Sequence, residues 1–237
     1  GLLIFRISDI LMDIRCPNIA MISFHIISIF PESMKAYAEC SILKRAQKKK
    51  FINIAFVNPR DFTSDKHHSV DDAPFGGGPG MVMKAEPIYK AVQSITKKPK
   101  NQKTKKRIIL FSTRGKLFTQ KEAKRLARYR HLIFICGRYE GVDERVAEHV
   151  ADEEISVGDY VLAGGELAAL VVTEAVSRYI PGVLGTYESL EDIKGSYPAY
   201  TRPEVFKAWR VPKALVSGNH KKIEEWRRGF DTKKNLR

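Results

Sequence analysis

The residue types that could do chemistry in this chain concentrate in two glycine-bearing segments. GRYEGVDER begins at Gly137, directly after the strand-like run HLIFIC, and ISVGDYVLAGGEL begins at Ile155 and leads into a helical pattern. In open α/β sheets, ligands bind beyond the carboxyl ends of strands, where small residues let the backbone come close. The two segments therefore indicate a ligand site, although glycines that only form tight turns and helix caps explain them equally well.

Other motifs give weaker indications. There is no G-x-G-x-x-G after the first strand and no G-x-x-x-x-G-K-[ST], so the usual dinucleotide and nucleoside triphosphate sites are not supported. GGGPG at residues 76–80 is more typical of a moving flap than of a phosphate nest. Adjacent His67 and His68 lie among three aspartates, but neighbouring side chains of an extended segment point apart, and we predict no metal site there.

Three charged residues lie at or after the end of the apolar pattern GELAALVVTEAVSRYI. Arg178 lies at the carboxyl end of this pattern, where an arginine simply complements the helix dipole. Glu191 and Asp192 come next, in a turn-rich segment in which acidic side chains are ordinarily solvated. Residue types alone assign no chemical role to these three residues.

The elements that must position these residues alternate between strand and helix patterns. Apolar runs at 22–28, 51–57, 107–112 and 131–136 read as strands, with helical spacing at 32–47 and 119–129 between them. Thr119 and Glu122 match a capping box at the start of the second helix. Strands that are apolar on both faces belong to a mostly parallel sheet between helices, so the predicted class is doubly wound α/β.

The remaining segments suggest the domain boundaries. Residues 1–20 are broken by charges, unlike a secretory signal, and we expect an N-terminal extension that need not belong to the native protein. Residues 58–79 are polar and without periodicity, which predicts a flap or an unstructured loop. Beyond Pro181 the composition becomes that of a linker, and residues 203–237 read as a small basic helical domain.

Composition and charge narrow the function classes. The chain has 237 residues, 43% hydrophobic and 29% charged, an ordinary globular composition without an apolar run of the length, about 20 residues, that spans a bilayer. Lysine and arginine number 41 against 27 acidic residues, and the net charge of +14 favours a polyanionic partner, with nucleic acid first. Three cysteines without a C-x-x-C pair exclude a disulfide scaffold and predict the reducing cytoplasm.

Longer blocks of sequence carry a family resemblance. FPE, NPRDFT, VDDAPFGGGPGM, ICGRYEGVDER, ISVGDYVLAGGEL, SRYIPGVLG, YTRPEV and SGNHKKIEEWR occur in the order, and close to the spacing, of the bacterial tRNA (guanine-N1)-methyltransferases of the TrmD type. The resemblance covers Met21 to about Arg228, nearly the whole chain. It implies an α/β-knot fold of the SPOUT class, in which a mostly parallel sheet with helices on both faces carries a deep trefoil knot.

The same resemblance implies the domain organisation and the reaction. A catalytic domain at 21–184 would be followed by a linker at 185–202 and the small helical domain at 203–237. Members of the family are homodimers with active sites at the subunit interface. They transfer a methyl group from S-adenosyl-L-methionine to N1 of guanosine 37 of tRNA, next to the anticodon, when a guanosine precedes it.

Residue by residue, the resemblance places the methyl-donor pocket on one strand end and on the two glycine-bearing segments. The implied donor-binding residues are Leu110, Ser112, Gly137, Tyr139, Glu140, Gly141, Val157, Gly158, Asp159, Tyr160, Val161, Leu162, Gly164 and Gly165. Ala168 stands where the family usually has proline, and we expect a slightly less rigid helix start with binding retained.

The resemblance also implies the catalytic residues. Arg178 matches the arginine that stabilises negative charge on guanine O6, and Asp192 best matches the carboxylate that removes the N1 proton. The linker is several residues shorter than the usual pattern, so Glu191 and Glu188 remain alternatives to Asp192. Activity in the family is supported by Mg²⁺, for which Glu140 is a candidate ligand, although the spacing does not require a metal ion.

Two other interpretations remain open at this point. One is a non-catalytic, basic RNA-binding protein that keeps the fold, which the net charge and the short linker would suit. The other is a SPOUT enzyme that modifies a different RNA.

Overall fold

The structure is a computed structural model that describes residues 21–97, 105–184 and 197–230. The chain divides into two compact units between Leu184 and Gly185. The predicted N-terminal extension lies outside the described residues.

The elements of the described residues are as follows. The strands are β1 (Ile22–Ile27), β2 (Ile52–Val57), β3 (Asp71–Asp72), β4 (Val82–Met83), β5 (Lys106–Leu117), β6 (His131–Ile135), β7 (Glu153–Ser156), β8 (Val205–Phe206) and β9 (Trp209–Arg210). The helices are α1 (Glu32–Ala38), α2 (Ser41–Lys48), α3 (Ala85–Thr96), α4 (Gln120–Leu126), α5 (Glu144–His149), α6 (Glu166–Ser177), α7 (Lys213–Val216) and α8 (His220–Arg228), and a 3₁₀ turn covers Pro59–Phe62.

A five-stranded sheet forms the centre of the first unit. Its strand order is β2-β1-β6-β5-β7, and each neighbouring pair is parallel. The predicted α/β class with a mostly parallel sheet is therefore confirmed. β7 is not among the predicted strands, because its four residues EEIS carry two glutamates and too few apolar side chains to stand out.

The central strand β6 shows why the sheet needs cover on both faces. Successive side chains of a strand point to opposite sides. Leu132 and Phe134 enter one apolar cluster, to which α1, α2, α4 and α6 contribute, while Ile133 and Ile135 enter a second cluster with α3 and α5. All four side chains are buried. Each contributes roughly 1.5–3 kcal/mol by leaving water, and this burial holds helices on both faces.

The helix predicted over 32–47 is wrong in one respect, because it is broken into α1 and α2. Cys40 is extended and Ser41 has a φ of +46°, a left-handed conformation that interrupts helical hydrogen bonding. α1 packs against α6, whereas α2 packs beside β2. A straight helix could not follow both surfaces, so tertiary packing overrides the continuous helical spacing.

The capping box predicted at Thr119 and Glu122 does not form. α4 does begin after Thr119, but the threonine side chain makes no capping hydrogen bond. The Glu122 carboxylate is buried instead and accepts hydrogen bonds from Lys116 Nζ and Arg125 Nε, both at 2.7 Å. Two cations outcompete the backbone N–H that a capping glutamate would bind.

The polar stretch 58–79 has more structure than its composition predicts. It begins with the 3₁₀ turn, in which Asn58 accepts a hydrogen bond from the backbone of Arg60 at 3.0 Å. Val70 is fully buried, and β3 pairs with β4 in an antiparallel ladder. The buried side chains of Pro59 and Val70, together with short-range caps, hold this segment where the sequence shows no periodicity.

The described part of the second unit combines helices with a hairpin. β8 and β9 pair antiparallel, and α8 begins after Asn219, whose side chain accepts a hydrogen bond from Lys222 N at 3.2 Å. Trp226 of α8 packs edge-on against Phe230 and Tyr200, with ring centroids 4.8 and 6.2 Å apart. The hairpin adds β structure to a unit whose composition predicts only helices.

Candidate functional site

A cavity of about 420 Å³ lies at the carboxyl ends of β6 and β7 and beside the middle of β5. Three segments line it: residues 110–114 in the middle of β5, the turn after β6, and the segment that joins β7 to α6. Thirteen of the fourteen residues implied by the resemblance line this cavity, namely Leu110, Ser112, Gly137, Tyr139, Glu140, Gly141, Val157, Gly158, Tyr160, Val161, Leu162, Gly164 and Gly165. Asp159 is the fourteenth and is not among the lining residues.

A bulge in β5 brings part of the lining into place. Phe111 and Lys116 both pair with Ile155 of β7, so the four residues between them loop out of the ladder. Gly115 makes this possible, because a Cβ there would lie 2.5 Å from the backbone nitrogen of Ile155. The extruded residues include Ser112 and Arg114, and both line the cavity.

The two glycine-bearing segments are joined directly. Gly165 N donates to the carbonyl oxygen of Gly137 at 3.0 Å. A Cβ at Gly165 would lie 2.7 Å from the Cα of Cys136, so only glycine permits this approach. Cys136 is buried beneath the contact, and desolvation raises the pKa of its thiol well above the usual value, which keeps it uncharged.

The turn after β6 is also attached to Met81 and Met83, which directly follow the GGGPG segment. Glu140 N donates a hydrogen bond to Met81 O at 3.0 Å. Met83 N donates to Gly141 O, and Asp143 N donates to Met83 O, both at 2.9 Å. Gly141 has a φ of +140°, which requires glycine at this point of the turn. Backbone hydrogen bonds thus join the cavity wall to the residues that follow GGGPG.

The GVDER sequence ends this turn by starting α5. Asp143 caps the helix by accepting from Arg145 N at 3.0 Å and also binds the Arg145 guanidinium at 2.6 Å. The hydrogen bonds from Arg145 hold the pKa of the Asp143 carboxyl below its usual range.

A buried polar network supports the cavity floor, and sequence reasoning misses it. Glu166 opens α6 with a carboxylate only 5% exposed, which accepts from Ser28 Oγ at 2.6 Å and from Arg138 Nε at 3.0 Å. Arg138 in turn lies over the ring of Phe30, 4.8 Å from its centroid. The Arg and Glu belong to GRYEG and GGEL, so the motifs contain the signal, but the pairing across 28 residues does not show in the sequence.

A second missed cluster lies at the cavity rim. Arg114 Nη2 is 2.7 Å from Glu144 Oε2 and 3.8 Å from Glu154 Oε2. The hydrogen bond with Glu144 raises the pKa of the Arg114 guanidinium above its usual value. Glu140 lines the same cavity. The lining therefore contains three carboxylates and two neighbouring cations, namely Glu140, Glu144, Glu154, Arg114 and Arg138. No spacing in the sequence indicates this group.

Of the catalytic residues implied by the resemblance, only Arg178 lies within the described residues, and it is not among those that line the cavity. Arg178 directly follows α6, half-buried, and its N–H donates to Glu174 O at 3.2 Å. Its guanidinium makes no ion pair or side-chain hydrogen bond within the described part of the chain. Asp192, Glu191 and Glu188 lie outside the described residues.

Within residues 21–97, 105–184 and 197–230, no group of three or more histidine, cysteine or acidic side chains is placed to hold a metal ion. In the same ranges, no helix has the length and apolar character needed to cross a bilayer.

The parallel sheet and the glycine-lined cavity at its carboxyl edge define an α/β protein with a pocket of the kind that small organic ligands occupy. The family model described as tRNA (Guanine-1)-methyltransferase TrmD matches residues 22–236. Curated proteins named tRNA (guanine-N(1)-)-methyltransferase are similar over most of the chain. The one from Carboxydothermus hydrogenoformans is 52% identical, covering 86% of this chain and 80% of its own length.

Two further relatives carry the same name. The Bacillus cereus protein is 50% identical over 85% of this chain and 84% of its own length. The Dehalococcoides mccartyi protein is 48% identical over 90% of this chain and 86% of its own. The chain belongs to the tRNA (guanine-N1)-methyltransferase family, and the resemblance stated from its motifs is confirmed.

Proposed function

We propose that this methyltransferase transfers a methyl group from S-adenosyl-L-methionine to N1 of guanosine 37 in tRNA. The observation that carries the proposal is the glycine-lined cavity of about 420 Å³ in a chain of this family. Its volume lies within the range, roughly 300–1,000 Å³, of sites for molecules of this size.

The lining residues fit a methyl donor of this chemistry. S-adenosyl-L-methionine supplies a methyl group already activated on a positively charged sulfur. Val157 and Leu162 offer apolar surface for the adenine faces, and the glycine-bearing backbone offers N–H and C=O groups for its edge. The carboxylates of Glu140 and Glu154 in the lining place negative charge at the cavity, which suits a cation.

The acceptor needs a base, because N1 of guanine carries a proton at neutral pH. A carboxylate within hydrogen-bonding reach is the simplest group that can remove it. We assign this role to Asp192, with Glu191 and Glu188 as the alternatives left by the short linker.

Arg178 is assigned to the charge that appears on O6 as the N1 proton leaves. A fixed cation next to a developing oxyanion lowers the barrier because it needs no reorganisation during the reaction. The guanidinium has no acidic partner in the described part of the chain, which supports this role, since its charge is available to the substrate.

A homodimer with the active site at the subunit interface completes the proposal. α6 carries the exposed apolar side chains Leu167 and Val171, and Val161 in the preceding segment is 83% exposed. Such a surface suits a second copy of the chain. The trefoil knot implied by the resemblance belongs to the same proposal.

The remaining assignments follow from charge and redox chemistry. The net charge of +14 suits tRNA as the partner. The free thiols of Cys40 and Cys136 agree with the reducing cytoplasm as the compartment. Mg²⁺ support of activity, with Glu140 as a candidate ligand, is proposed from the family resemblance alone.

The test is methyl incorporation from labelled S-adenosyl-L-methionine into two tRNA transcripts, one with G36 and G37 and one with A37. Label in the first only is expected, and equal or absent labelling would defeat the proposal. The same assay compares Asp192→Asn with Glu191→Gln and Glu188→Gln. The true base is the residue whose change slows methylation about 10²-fold, with partial recovery at higher pH.

A further inference from the structure

The charged residues at the end of α6 do not pair in the way their spacing favours. Glu174 and Arg178 are four residues apart, and a glutamate on the N-terminal side of an arginine at this spacing is the orientation that forms helical ion pairs. The Arg178 N–H does bind Glu174 O, which places the two residues on successive turns. Their side chains nevertheless form no ion pair in the described residues.

The Glu174 carboxylate is engaged from another helix. The hydroxyl of Tyr37 on α1 donates a hydrogen bond to Glu174 Oε2. Met34 and Ala38 of α1 are buried, and α1 packs against α6, so the position of Tyr37 is set by the core beneath it. The hydrogen bond with Glu174 raises the pKa of Tyr37 above its usual value, so the hydroxyl keeps its proton at neutral pH and remains the donor.

We propose that Tyr37 is a positioning residue that holds Glu174 away from Arg178 and thereby keeps the guanidinium available to the guanine. This inference rests on the proposed role of Arg178 in methyl transfer. Without the tyrosine hydroxyl, the Glu174 side chain would be free to reach the cation one turn away. Arg178 would then be partly neutralised before the substrate arrives.

The expected size of the effect follows from the strength of such pairs. Exposed and half-exposed ion pairs change an equilibrium by about 1.4- to 5-fold. Tyr37→Phe should therefore lower kcat about 2- to 5-fold, with the KM for S-adenosyl-L-methionine unchanged, because Tyr37 does not line the cavity.

Single-turnover methylation at saturating donor and tRNA is the experiment, with Tyr37→Phe, Glu174→Ala, the double variant and Arg178→Ala. Glu174→Ala removes both the hydrogen bond and the competing carboxylate, so it and the double variant should keep the wild-type rate. Tyr89→Phe is the matched control, since it removes a hydroxyl of a tyrosine with nearly the same exposure (47% against 46%) from α3. Sedimentation confirms that all variants share the wild-type assembly state.

Three outcomes would overturn the inference. The first is a wild-type rate for Tyr37→Phe. The second is a Glu174→Ala rate as low as that of Tyr37→Phe, because the hydrogen bond would then matter for structure only. The third is a double variant that is no faster than Tyr37→Phe. If Arg178→Ala loses turnover while Tyr37→Phe does not, only this inference fails. If Arg178→Ala retains turnover, the proposed role of the arginine fails first, and the inference falls with it.

Discussion

Arg178 ends α6 with a guanidinium that no carboxylate engages in the described part of the chain. A cation in such a place can be a dipole partner or a catalytic group. The two roles differ in what they stabilise, because a dipole partner stabilises the folded helix and a catalytic group stabilises the transition state.

Arg178→Ala separates these roles. We expect turnover to fall by roughly 2–4 kcal/mol of transition-state stabilisation, the scale for the loss of one charge-stabilising donor. Binding of S-adenosyl-L-methionine should be nearly unchanged, since Arg178 does not line the cavity. Single-turnover kinetics and calorimetry measure the two quantities, and near-normal turnover would reject the catalytic assignment.

The contact between the two glycine-bearing segments is the element-scale feature on which the cavity depends. Gly165 directly precedes α6 and lies against the end of β6, where a side chain has no room. The strand end and the helix start can approach only because the glycine exposes its backbone N–H to Gly137 O.

Gly165→Ala should force these segments apart. The added Cβ would lie 2.7 Å from Cys136 Cα, which is backbone and cannot move aside cheaply. We expect a stability loss of about 1–3 kcal/mol from overpacking, together with weakened binding of S-adenosyl-L-methionine. Thermal unfolding and calorimetry measure both effects. Gly229→Ala is the control, because Gly229 already has a φ of −59° that alanine adopts easily, and similar losses in both variants would contradict the prediction.

An ion-pair network ties α4 to β5 and β7. Glu122 pairs with Lys116 and Arg125, and Arg125 continues to Glu153 at 2.8 Å, which also binds Arg107 at 2.7 Å. The hydrogen bond from Lys116 is the largest influence that holds the pKa of Glu122 below its ordinary 4.5, with a further contribution from Arg125.

Glu122→Gln should lower the free energy of unfolding by about 1–3 kcal/mol at pH 7. The folded carboxyl has the lower pKa, so its contribution is complete above pH 4.5, the ordinary value. The contribution is lost as the pH falls toward the folded pKa, because the unfolded chain takes up the proton first. The free energies of unfolding of the wild type and of Glu122→Gln, measured with urea, should therefore converge at acid pH.

Glu86→Gln serves as the control for this network. Glu86 makes a surface pair with Lys90 at 2.7 Å, four residues away on α3. Its exposed position means that the substitution should change stability little at any pH. A difference between wild type and Glu122→Gln that persists unchanged in acid would show that the charge of Glu122 is not its source.

At the scale of the whole molecule, the exposed apolar surface of α6 determines the expected assembly. Leu167 and Val171 are 59% and 50% exposed and lie one turn apart. Contact between such an apolar surface and water is unfavourable, and a second copy of the chain would cover the surface.

Leu167→Asp combined with Val171→Asp should shift the protein to a monomer, because two charges would have to be desolvated in the interface. Sedimentation velocity at micromolar concentration measures the change, and methyl transfer should be lost with the dimer. Leu117→Asp alters an equally exposed leucine, 56%, at the end of β5 and should leave assembly intact. A wild-type protein that is itself monomeric would contradict both the prediction and the proposed dimer.

The sequence by itself determined the family and the parallel sheet, and it indicated the two glycine-bearing segments that the structure places around the cavity. Apolar runs such as HLIFIC report burial on both faces locally, and the carboxyl ends of parallel strands must meet at one edge, so segments that follow strands come together. Only the tertiary structure decided the break between α1 and α2, the Arg138–Glu166 pair beneath the cavity, and the hydrogen bond from Tyr37 to Glu174. The two side-chain contacts join residues 28 and 137 positions apart, and the helix break results from competition for a packing surface. Local periodicity reports only on neighbouring residues, so it predicts none of these features.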